Sequence, residues 1–72
     1  MTLAELRALL AGHLPVPIGE VADDTNLIEA GMESLVLMRF LNELAELGVL
    51  ARYGELVASP TLAGWHELLS GR

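Results

Sequence analysis

The apolar positions fall into three stretches stepped by three and four residues, with one long stretch between them where the spacing is lost. Leu3, Leu6, Leu9 and Leu10 make the first stripe, the pattern of side chains sharing one face of an α-helix. Thr2 and Glu5 stand in front of it as a capping box, each side chain taking up a free backbone N–H of the other. Gly12, Pro15 and Pro17 stop this helix around residue 13. His13 falls in its last turn, where an imidazole suits the C-terminal end of the helix dipole. Leu37, Phe40, Leu41, Leu44 and Leu47 form the longest stripe and predict the main helix from Ser34 to Leu47, with Gly48 as its terminator. Arg39, Asn42, Glu43 and Glu46 take its other face. Leu35, Val36 and Met38 are apolar as well, so its first turns are expected to bury more than one face, with another protein as one candidate cover. After Val49 and Leu50, Tyr53 to Ala58 reads as a short helix ended by Ser59-Pro60. Thr61 is an N-cap for a last helix, whose stripe is Leu62, Trp65, Leu68 and Leu69. Trp65 is expected in the core, and Ser70-Gly71-Arg72 is expected to fray.

Residues 15 to 33 lack this periodicity. Connections longer than about 12–15 residues without regular structure are uncommon in compact domains and are often functional. Val16, Ile18, Val21, Leu27 and Ile28 can pin this one to the helices, so an ordered loop is expected. Asp24, Thr25 and Asn26 start a helical turn through Glu29, and Gly31 ends it. The fold expected is all-α, a small four-helix bundle of three main helices and one short one, in a single domain over residues 1–72.

Composition narrows the function classes. The chain has no cysteine, which excludes disulfides, thiolate metal sites and a cysteine nucleophile, and fits a reducing cytoplasm. Ten acids face four arginines and no lysine, for a formal charge of −6. Nucleic-acid binding needs a cationic face, so it is not expected. An acidic surface instead suits partners that present Arg or Lys. No uncharged apolar run approaches the roughly 20 residues of a membrane-spanning helix, and the start Met1-Thr2-Leu3-Ala4-Glu5 lacks the basic residues of a signal peptide. A cytoplasmic, unexported monomer is expected. His13 and His66 share no ligand spacing with each other or with the acids, so no metal site is expected. Asp23, Asp24 and Glu29 do not fit a calcium loop. Ser34 is not in a Gly-x-Ser-x-Gly elbow, because Val36 stands two residues on and no strand precedes it.

Within Gly31-Met32-Glu33-Ser34-Leu35, Gly31 permits a left-handed turn and Ser34 starts the main helix. Free N–H groups there favour an attached anion such as phosphate, although an isolated serine in this place is first of all an ordinary N-cap. The surroundings change that reading. The stretch from Asp24 to Leu35, with Gly31-Met32-Glu33-Ser34-Leu35 at its end, resembles the loop and Gly-x-Asp-Ser-Leu motif of phosphopantetheine-binding carrier proteins. Phe40-Leu41-Asn42-Glu43-Leu44 and the run from Leu56 to Trp65, with Pro60-Thr61 beginning 26 residues after Ser34, resemble carrier segments too. The likeness covers essentially the whole chain and departs at Glu33, where most members carry Asp.

This resemblance implies that Ser34, presented by Gly31 and Glu33, is the attachment point of a 4'-phosphopantetheine arm. Its hydroxyl attacks the pyrophosphate of coenzyme A on a phosphopantetheinyl transferase, leaving a phosphodiester. The arm's thiol then holds an acyl or aminoacyl group as a thioester, and an adenylating loading enzyme and downstream condensing or tailoring enzymes act on it. The chain itself is then a carrier and not an enzyme. Leu35 and Met38, one and four residues past Ser34, become partner-docking positions, with Tyr53 and Gly54 as weaker ones. Arg39 near the start of an apolar main helix, and Pro60-Thr61 followed by Trp65, favour a stand-alone peptidyl or aryl carrier of nonribosomal peptide synthesis. An acyl carrier of polyketide or fatty-acid synthesis is the alternative, and a helical interaction domain without a prosthetic group is the alternative of another class.

Overall fold

A computed structural model describes residues 1–72. It contains four α-helices and no strand: α1 (Leu3–Ala11), α2 (Ser34–Glu46), α3 (Tyr53–Ala58) and α4 (Leu62–Leu69), with one 3-10 turn (Ile18–Glu20) in the first loop. No helix is long and apolar enough to cross a membrane. The all-α bundle of three main helices and one short one, and the long loop between the first two, are as expected.

Local chemistry explains the boundaries. At α1 the capping box is complete, with Thr2 N–H donating to Glu5 Oε1 at 2.9 Å and Glu5 N–H to Thr2 Oγ1 at 3.1 Å. Thr2 thereby holds the Glu5 carboxyl below its usual range. Helix α1 stops at Ala11, so His13 lies beyond it. Its Nε2 meets Glu43 Oε2 at 2.6 Å and its ring stands edge-on to Phe40. The expected dipole role gives way to a cross-link between the loop and α2.

Helix α2 ends in a Schellman turn. Gly48 N–H donates to Ala45 O and Val49 N–H to Leu44 O, with Gly48 at φ +82°, the left-handed conformation that glycine adopts without steric cost. This turn corrects the apolar stripe at its last member. Val49 rather than Leu47 enters the core, and Leu47 stays exposed.

Thirteen side chains make one core, among them Leu6 and Leu10 of α1, Leu37, Phe40 and Leu44 of α2, Leu56 of α3, and Leu62, Trp65 and Leu69 of α4. Trp65 is fully buried, stacks on Phe40 with ring centroids 5.4 Å apart, and donates its indole N–H to Leu56 O at 2.9 Å. That hydrogen bond lets a polar ring sit in the centre.

The loop is ordered for reasons only partly visible in its composition. Val21 and Leu27 are buried and Val16 and Ile18 half-buried, as expected, but Ile28 is exposed. The fifth anchor is Met32, fully buried. Arg7 of α1 donates to Val21 O at 2.5 Å and pairs with Asp23. Leu27 N–H donates to Pro60 O at 2.7 Å and Ala63 N–H to Asp23 O at 2.9 Å. The segment Ser59-Pro60-Thr61 therefore ends α3, starts α4 through the Thr61 cap on Gly64 N–H, and clamps the loop. The tail does not fray: Arg72 makes a forked pair with Glu55 of α3, at 2.9 and 2.6 Å.

Candidate functional site

The loop delivers its last residues to the start of α2 by a sequence of turns. Asn26 Oδ1 accepts from Ile28 N–H and Glu29 N–H, and Met32 N–H returns to Leu27 O at 3.0 Å. Gly31 has φ +114°, and a Cβ there would stand 2.5 Å from Pro15 Cγ. Glycine is needed twice, for the backbone angle and for the close approach of Pro15. With Met32 sunk into the core, the next two residues are turned outward.

Ser34 is the first residue inside α2. The N-cap position belongs to Glu33, whose side chain makes no cap hydrogen bond. The ordinary reading of Ser34 as the cap is thereby corrected. Its Oγ is exposed and lies 3.1 Å from the hydroxyl of Tyr53, the first residue of α3. The N–H groups of Ser34, Leu35 and Val36 have no acceptor in the protein, whereas Leu37 N–H is taken by Glu33 O at 2.8 Å. Three free donors at the positive end of a helix suit an anion attached to the first residue.

The rest of the surface follows from the helical spacing. Leu35 is 63% and Met38 46% exposed on the outward face of α2 that carries Ser34, opposite Leu37, Phe40 and Leu44. Tyr53 and Val57 are half-open on α3. Gly54 is exposed, with open space where a Cβ would go. Glu33 and Arg39 are exposed, and neither they nor Arg52 enter an ion pair. No group of three or more His, Asp or Glu is placed to hold a metal ion.

Thus the structure gathers Gly31, Glu33, Ser34, Leu35, Met38 and Tyr53 at one end of α2. The contact between Ser34 and Tyr53 is the feature sequence reasoning missed. Nineteen residues separate them on different helices, and no periodicity links such a pair.

The family described as phosphopantetheine attachment site matches residues 4–69. Pseudomonine synthase PmsE of Pseudomonas entomophila (strain L48) is 38% identical over 53 residues, which are 74% of this chain and 9% of that protein. No solved structure gives a significant match. With the match spanning nearly the whole chain, the protein belongs to the phosphopantetheine attachment site family, carriers to which 4'-phosphopantetheine is covalently bound.

Proposed function

We propose that the chain is a peptidyl or aryl carrier of a nonribosomal peptide pathway, with Ser34 as the attachment point of the arm. The observation that carries this reading is the state of Ser34. Its hydroxyl is exposed, released from capping, and set beside three free backbone N–H groups of α2. A buried or capping serine would have to leave a backbone hydrogen bond before it could be modified, whereas the one contact of this hydroxyl is with the exposed phenol of Tyr53. The residues present fit the group: the N–H groups of Ser34, Leu35 and Val36 offer donors to a phosphodiester, and open surface surrounds it.

When bound, the 4'-phosphopantetheine arm supplies the thiol that carries cargo as a thioester. The chain's own residues bind and present. Gly31 shapes the turn, Met32 anchors it, and Glu33 offers an unpaired carboxylate beside the reacting hydroxyl to an Arg or Lys of the transferase. Leu35 and Met38 form the apolar part of a docking face, with Tyr53 and Gly54 at its edge. Methionine suits a surface that must fit several partners in turn, because its side chain repacks easily. Those partners are a phosphopantetheinyl transferase, a loading enzyme, and condensing or tailoring enzymes, and catalysis resides in them. The chain spans 9% of the length of its relative pseudomonine synthase PmsE, and that likeness supports placing it in a peptide-synthase assembly rather than in fatty-acid synthesis. The absence of cysteine suits work in the cytoplasm.

The test is the intact mass after incubation with coenzyme A and a promiscuous phosphopantetheinyl transferase. The expected result is a gain of one phosphopantetheine that Ser34→Ala abolishes without altering the thermal melt. No gain, or a gain that survives Ser34→Ala, removes the reading.

A further inference from the structure

The pair Ser34 Oγ and Tyr53 hydroxyl, 3.1 Å apart, is the one side-chain hydrogen bond joining α2 to α3. In the unmodified chain either oxygen can donate. Two exposed hydroxyls joined in this way gain little over their hydrogen bonds to water.

We propose that Tyr53 is a positioning residue for the phosphodiester at Ser34, so that modification of Ser34 locks α3 onto the start of α2. The inference rests on Ser34 being the attachment point. Attachment forms the bond from Oγ to phosphorus and breaks the pyrophosphate P–O bond of coenzyme A. The Ser34 proton departs and adenosine 3',5'-bisphosphate is released. Ser34 Oγ is then an ester oxygen and can only accept. The ambiguity of the present contact is removed: the phenol of Tyr53 becomes the donor. Its acceptors improve at the same time, because anionic phosphate oxygens now lie two bonds from the atom it already touches. Hydrogen bonds to an ionised acceptor are roughly twice as strong as those between neutral groups.

Beside the free N–H groups of α2, the neighbouring side chains leave this role to Tyr53. Glu33 has no proton to give as a carboxylate and repels the new charge. Arg39 lies five residues along α2, on the far edge of its exposed face. Arg52, beside Tyr53 and free of ion pairs, is the rival cation. The consequence reaches past the arm. Tyr53 is the first residue of α3, so the chemical state of Ser34 sets how firmly the surface bearing Gly54 and Val57 is held.

The experiment compares apo and modified protein, each verified by intact mass, for the wild type, Tyr53→Phe and Arg52→Gln. Amide hydrogen exchange in α3 is the readout. Phenylalanine keeps the half-exposed ring and removes only the hydroxyl, and an unchanged far-UV spectrum checks the fold. Modification should slow exchange in α3 about fivefold in the wild type, the size an ordinary net hydrogen bond gives. Arg52→Gln should retain the slowing, and Tyr53→Phe should reduce it below about twofold. The inference is overturned if the wild type shows no slowing, if Tyr53→Phe slows as the wild type does, or if Arg52→Gln alone loses the effect. Failure of the wild type to gain mass would remove the attachment reading and this inference with it. A normal gain with any of the three overturning exchange results removes this inference alone.

Discussion

Met32 and Met38 stand two residues before and four residues after Ser34, and the structure treats them in opposite ways. Met32 is fully buried and Met38 is 46% exposed. The side of the molecule that precedes Ser34 is built for rigidity: Val21, Leu27 and Met32 fill the core, Asp23 and Leu27 are bonded through their backbones to the start of α4, and Arg7 ties down the loop. The side that follows leaves its groups unsatisfied, with Leu35 and Met38 open to solvent and three N–H groups without partners. A carrier needs both. In the proposed role Ser34 must stand in a fixed place while the surface around it stays free for successive partners.

The methionine pair gives the largest test of this division. Met32→Ala should lose about 2–5 kcal/mol, the cost of an emptied core site, a large fraction of the stability of a domain this small. Met38→Ala should stay within about 0.5 kcal/mol of wild type, as exposed substitutions do. Denaturant melts measure both. Met38→Glu should keep the helical signal and slow loading by the cognate enzyme, because it places a charge in the proposed docking face. Equal stability losses at 32 and 38 would erase the distinction between the two sides, and an unchanged loading rate would remove Met38 from the interface.

Gly31 lies on the boundary, and its substitution should have a smaller effect. Gly31→Ala meets both a positive φ and the ring of Pro15. It should cost more than about 1 kcal/mol, the usual outcome where alanine cannot adopt the native angle. Because this turn sets the direction of Ser34, modification by the transferase should slow more than the stability loss alone explains. A stable Gly31→Ala variant modified at the wild-type rate would show that the turn does not position Ser34.

Much of this division could be read from the residues. The stripe Leu37, Phe40 and Leu44 marked the buried face of α2, and with it the outward place of Leu35 and Met38, because helical spacing is a local signal. The caps at Thr2 and Thr61 were legible for the same reason. Met32 was not, since a methionine between Gly31 and Glu33 carries no period and its burial comes with the turn that returns its N–H to Leu27 O. The clamp by Pro60 O was hidden because a backbone carbonyl has no signature in the residue name. Leu47 was misread because the stripe ran one step past the helix, where Gly48 turns the chain and Val49 takes its place. The Ser34 contact with Tyr53 and the anchoring of Arg72 on Glu55 are long-range pairings, which no local pattern encodes.

That last pairing gives the smallest expected effect and concerns the same first turn of α3 that carries Tyr53. The forked hydrogen bonds from Arg72, with the Arg52 backbone N–H as second donor, hold the Glu55 carboxyl down from the ordinary 4.5 to about 2. The unfolded chain therefore binds a proton at Glu55 that the folded chain refuses between those two values. The stabilisation is complete above about 4.5 and is lost as pH falls towards about 2, which is the sense of the linkage for a depressed carboxyl. Arg72→Gln removes the larger cause, so the Glu55 carboxyl should move back towards its ordinary value without reaching it while the Arg52 N–H remains. Carboxyl carbon resonances followed through an acid titration measure this directly. The melting difference between wild type and Arg72→Gln should be small at neutral pH and vanish in acid, since the pair is exposed to water on one side and solvent screens it. A difference that persists where Glu55 is protonated in both proteins would assign Arg72's contribution to its contact with Leu50 O and not to charge. In that case charge would add nothing at the first turn of α3, whose hold would rest on the Arg72 bond to Leu50 O, the Arg52 N–H bond to Glu55 and the buried Leu56.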